Sequence, residues 1–95
     1  MILSADPTIA SLREEIEAVD ERLIAAIAER VALARAIGRV KAEAGQPVID
    51  PAREAAVVMR ASVLARMAGL PEDDIRALYW KLMAISRKVQ LSELS

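Results

Sequence analysis

The sequence predicts an all-α chain of three helices, one long and two about half its length. Three observations lead there. The four prolines and three glycines fall in few places and cut the 95 residues into three uninterrupted stretches. Within each stretch apolar residues return at the helical period, and no alternating strand pattern survives. Composition agrees: 55% of residues are hydrophobic, many of them alanine, while aromatics are 2% with no Phe. That mixture suits close-packed helices and serves strands poorly.

The first helix opens at Asp6-Pro7-Thr8, where Thr8 or Asp6 can cap and Pro7 suits a first turn. Its pattern runs from about Ser11 to Ala44, and Gly45-Gln46-Pro47 stops it. Gly38 is the one weak helix former inside, costing ~1 kcal/mol, and marks a point where another element can approach closely. The second helix starts sharply, with Asp50 as N-cap and Pro51 at the first helical position, and ends at Gly69. Pro71-Glu72-Asp73-Asp74 starts the third, its carboxylates on the positive end of the helix dipole. That helix runs to about Leu91, beyond which the chain should fray. The whole reads as one helical domain, residues 1–95.

The first helix is too long for a compact monomer. Some 34 residues at 1.5 Å each span about 50 Å, whereas a globule of this size has a radius of gyration of about 12 Å. A monomer this small also hides only roughly 64% of its unfolded surface. A second copy of the chain covers the surplus apolar stripe most cheaply, so an intertwined helical homodimer is expected. An elongated three-helix monomer is the alternative.

Composition removes whole classes of function. Without cysteine or histidine there is no disulfide framework, no thiolate metal site and no triad hydrolase, and neither metal nor redox chemistry is expected. Thirteen Lys+Arg against 14 Asp+Glu give a net charge of −1, which offers no polybasic field for nucleic acid or anionic membrane. Met1 to Ala10 has neither a basic region nor a long apolar stretch, and no apolar run elsewhere approaches about 18 residues. A cytoplasmic location is expected.

Polar residues where apolar ones belong carry the functional signal. Wound at 100° per residue from Leu12, the residues Ile16, Val19, Leu23, Ile27, Ala34 and Ile37 fall within about 60° of it. Arg30 falls at about 0° and Lys41 at about 20°, in the middle of that stripe. Glu14, Glu21, Arg35, Arg39 and Glu43 take the opposite, solvated side. No carboxylate lies one turn from Arg30 or Lys41, so an anion must come from elsewhere unless both side chains snorkel to water. On the third helix Ile75, Tyr79, Leu82, Met83 and Val89 form the apolar face, and Ser86 and Gln90 project from it. Ser86 can instead bond back to its own helix, and Gln90 can fray outward. On the second helix Arg53 and Glu54 flank a face of Val57, Ala61 and Leu64, or form a solvated pair. Arg13 lies about 25 Å along the axis from Arg30, so within one chain it cannot join the others.

Arg30, Lys41 and Arg53, then Ser86 and Gln90, then Asp50 and Glu54, suit a small, multiply anionic, hydroxylated ligand. There is no nucleophile and no evident general base. If catalysis takes place there, it works by positioning and by stabilising developing charge.

Leu12-Arg13-Glu14-Glu15-Ile16, Val19-Asp20, Ala28-Glu29-Arg30, Lys41, Pro47-Val48-Ile49-Asp50-Pro51-Ala52-Arg53-Glu54 and Ser86-Arg87-Lys88-Val89-Gln90 together resemble the all-helical chorismate mutases. The resemblance runs from about Ser11 to Leu91. It implies an intertwined dimer that turns chorismate into prephenate without a cofactor, on the path to phenylalanine and tyrosine. It further implies that Arg13 of the opposite chain and Arg30 bind the two carboxylates, and that Lys41 and Gln90 meet the breaking ether. Arg53 would sit nearby, Asp50 and Glu54 would meet the ring hydroxyl, and Ser86 a ring carboxylate. An isochorismate-pyruvate lyase shares the cationic positions, but Asp50, Glu54 and Ser86 favour the mutase. A non-catalytic helical dimerisation or regulatory module is the rival of a different class. Neither a second catalytic domain nor a signal peptide is expected, although a partner enzyme of the same pathway is compatible.

Overall fold

A computed structural model describes residues 6–92. Three helices follow in order, α1 (Ile9–Glu43), α2 (Pro51–Met67) and α3 (Glu72–Ser92), and the described residues contain no strand. The fraying expected after Leu91 falls on residues 93–95, outside the described range.

Caps explain the boundaries. Of the two capping residues considered for α1, Thr8 is used: its Oγ1 accepts from the Ser11 amide at 3.0 Å, and its own amide donates to Ser11 Oγ at 2.9 Å. This reciprocal box satisfies two donors that a helix start leaves open, and it sets the start at Ile9. Asp50 caps α2, its Oδ1 accepting from the Arg53 amide at 3.0 Å, with Pro51 following. Gly45 (φ 69°) and Gly69 (φ 74°) terminate α1 and α2 in the left-handed region, where a side chain would be strained. Each turn is closed by a pair of backbone bonds, Gln46 to Lys41 at 2.8 Å with Gly45 to Ala42 at 3.1 Å, and Leu70 to Ala65 at 2.8 Å with Gly69 to Arg66 at 3.1 Å.

Packing centres on α3, which lies against both other helices. The face that α2 buries is Val58, Ala61, Ser62 and Ala65, not the expected Val57-Ala61-Leu64 face. Its small side chains permit close approach to α3. Val57 is only half-buried and Leu64 is exposed, because that flank turns away from α3 toward open clefts. A polar clasp joins the end of α2 to the start of α3. Buried Ser62 donates from Oγ to Glu72 Oε1 at 2.9 Å and accepts from Arg76 Nη1 at 2.7 Å, while Arg76 also pairs with Asp73.

The long helix overshoots its neighbours. The chain measures 60 × 25 × 18 Å, with a radius of gyration of 17.8 Å, well beyond the about 12 Å of a compact globule. Every residue from 12 to 26 is exposed. No helix among the described residues is long and apolar enough to cross a membrane.

Candidate active site

A cleft of about 280 Å³ opens where the second half of α1, the start of α2 and the second half of α3 converge. Leu33, Ala34, Ile37, Val48, Val57 and Met83 supply apolar walls. The polar lining is Arg30 and Lys41 from α1, Asp50, Arg53 and Glu54 from the α2 start, and Ser86 and Gln90 from α3. Seven of the eight residues singled out in the sequence therefore share one cavity. The eighth, Arg13, lies on the exposed part of α1 and outside the cleft, and no described residue pairs with it, Glu17 included.

The two α1 cations do not snorkel into bulk water. Lys41 retains 24% side-chain exposure, and its Nζ stands 3.9 Å from Asp50 Oδ2. An anion that no neighbour on α1 supplies is thus present elsewhere in the chain. The capping residue of α2 supplies a carboxylate, brought near by the turn after α1. At that distance it forms no hydrogen bond, and its other oxygen is engaged by the Arg53 amide. The ammonium donors stay open to a ligand. Arg30 is half-buried over the Tyr79 ring, 5.7 Å from its centroid. The face of the ring tempers the cation without consuming its donors. Arg35, expected on the solvated side of α1, is instead half-buried.

On α3, Gln90 does not fray. Its Nε2 donates to the Ala34 carbonyl at 2.8 Å, pinning the amide across to α1 and leaving a second N–H proton. Gly38 makes room for this: a methyl group there would stand 3.2 Å from Gln90 Cγ. Ser86 does not bond back to its own helix. Its Oγ is buried on the cleft wall, without a hydrogen-bond partner among the described residues. A buried hydroxyl on a cleft wall is a donor and acceptor available to a group that enters the cleft.

Glu54 is not in a solvated pair with Arg53. Its side chain is 13% exposed, and its carboxylate is taken by Arg87 of α3. Arg87 was not singled out individually in the sequence, because only its adjacency to Ser86 points to it. The hydrogen bond to Glu54, and then that carboxylate's charge, raise the Arg87 pKa above its ordinary value. Arg60 was also missed. With Arg30, Arg53 and Tyr79 it borders a neighbouring depression of about 300 Å³. The whole arrangement presents fixed donors against apolar walls, which suits stabilisation of negative charge growing on an oxygen.

Residues 12–91 match the family described as chorismate mutase type II. The chain is 32% identical over 75 residues to the T-protein of Enterobacter agglomerans, across 79% of this chain and 20% of that protein. It is 34% identical over 77 residues to the bifunctional chorismate mutase/prephenate dehydratase of Escherichia coli K12, across 81% of this chain and 20% of the relative. Against the chorismate mutase of Methanocaldococcus jannaschii it is 31% identical over 65 residues, 68% of this chain and 66% of that one. The chain spans about one fifth of the length of the first two.

Proposed function

This chain belongs to the chorismate mutase type II family, and from that premise we propose that it catalyses the intramolecular 3,3-rearrangement of chorismate to prephenate. One observation carries the reading. Three cationic side chains from two helices, with the Gln90 amide from the third, line a single apolar-walled cleft.

The chemistry fits such a lining. The rearrangement passes no proton and forms no covalent link to the enzyme, so a site without nucleophile or general base loses nothing. In the transition state the ether bond breaks, and negative charge grows on its oxygen. On this reading Lys41 and the free Gln90 proton meet that oxygen, where a donor placed in advance contributes a few kcal/mol. Arg30 takes one carboxylate and Arg53 lies near it and the ether. Asp50 and Glu54 accept from the ring hydroxyl, and Ser86, with its unmet hydroxyl, donates to the ring carboxylate. The apolar walls reduce, without abolishing, the screening of these contacts by water. No step calls for a cofactor.

The proposal extends to a cytoplasmic homodimer, with residues 1–95 acting as one domain. Leu12, Ile16, Val19 and Leu23 are 45–59% exposed on one stripe of α1, beside Arg13. A second copy lying on that stripe would cover it and bring its own Arg13 toward Arg30.

The test is incubation of the purified chain with chorismate, following loss of its absorbance and formation of prephenate. Enzyme-dependent prephenate supports the mutase. Release of pyruvate and salicylate from isochorismate, with chorismate untouched, replaces it by the lyase. Inertness toward both substrates overturns the enzymatic reading.

A further inference from the structure

A cleft proposed for a dianion contains two carboxylates of its own, and each repels that ligand. Asp50 is 48% exposed and stands 3.9 Å from Lys41, so water and a cation both temper it. Glu54 is the harder case, because at 13% exposure solvent does little to screen it. Arg87 reaches over from α3 and engages both carboxylate oxygens: Nη2 donates to Oε1, and Nε donates to Oε2 at 3.4 Å. Such a fork fixes the plane of the carboxylate as well as its charge. Arg87 itself is not part of the cleft lining and remains 44% exposed. It therefore compensates Glu54 from behind, leaving the carboxylate lone pairs not used by the fork for a ligand.

We propose that Arg87 is a positioning residue for the rearrangement, an inference that rests on the mutase reading. It cancels the charge that Glu54 would turn on the substrate carboxylates and holds Glu54 as an oriented acceptor for the substrate hydroxyl. A carboxylate can then select for a hydroxylated dianion without rejecting dianions altogether.

The decisive experiment compares KM and kcat for chorismate in Arg87→Leu, Arg87→Lys, Glu54→Gln and the Glu54→Gln/Arg87→Leu double variant, with helix content and unfolding followed by circular dichroism. Arg87→Leu should raise KM about tenfold with a smaller change in kcat, because the lost charge acts on binding. Arg87→Lys should recover most of that loss, since it restores the charge though not the fork. In the Glu54→Gln background, Arg87→Leu should have little further effect, because no charge is left to compensate. An unchanged KM in Arg87→Leu overturns the assignment. So does an equal KM rise in both backgrounds, or a loss that follows unfolding alone. A wild-type chain that leaves chorismate unconverted overturns the parent reading, and this inference with it, before any variant is compared.

Discussion

From residue 12 to residue 26 every side chain of α1 is exposed, whereas from Ile27 to Lys41 the same helix buries or half-buries Ile27, Arg30, Val31, Ala34, Arg35, Gly38 and Lys41. The apolar stripe continues through both halves without a break in period. One half has α3 opposite it, and the other has nothing opposite it among the described residues. Periodicity thus says that a face will be covered, while the cover itself depends on which element can reach it. The covered half places its cations in the cleft, and the bare half displays Arg13 among exposed leucine, isoleucine and valine.

This contrast can be broken most forcefully at Lys41. Lys41→Ala should slow chorismate conversion by roughly three orders of magnitude, with the thermal unfolding midpoint little changed. Activity within a few-fold of wild type would separate the cleft from catalysis. The bare half is tested next by Leu23→Asp. Leu23 is 53% exposed in the single chain, so the substitution matters only if a second copy covers it. Burying the unpaired carboxylate should then cost several kcal/mol, and sedimentation should show dissociated chains. An unaltered assembly state would leave the stripe without its proposed occupant.

A milder experiment joins the two halves. Mixed after subunit exchange, Arg13→Ala and Lys41→Ala chains should recover about a quarter of the wild-type sites, since half of the dimers are mixed and each carries one intact cleft. Exchange without recovery would place Arg13 outside the partner's site. The smallest effect is expected from Gly38→Ala. Helix propensity favours the change by ~1 kcal/mol, but the new methyl group presses Gln90 Cγ from 3.2 Å. The protein should stay at least as stable while turnover falls severalfold. Unchanged turnover would mean that the placement of Gln90 tolerates displacement.

Particular residues show how far the chain could be read in advance. The helix boundaries at Asp50-Pro51, Gly45 and Gly69 were legible because caps and left-handed turns are decided within a few residues. Arg30, Lys41, Ser86 and Gln90 were legible because a polar group in an apolar stripe costs energy wherever the helix is placed. Glu54 was identified, but its partner was not: Arg87 lies 33 residues away on another helix, and no local rule links them. The burial of Ser62 beneath Glu72 and Arg76 was equally hidden, as was the rotation of α2 that buries Val58 in place of Leu64.

The sequence by itself determined three helices, their ends, and the identity of the polar side chains lodged in apolar stripes, since each follows from interactions within a turn or two of backbone. Tertiary structure alone decided which of those side chains share a cavity and which carboxylate faces which cation. It also decided where a hydroxyl stays unmet, as at Ser86. Those outcomes depend on the distances and angles between helices, and these are set by side chains interlocking across the whole contact, Gly38 against Gln90 among them.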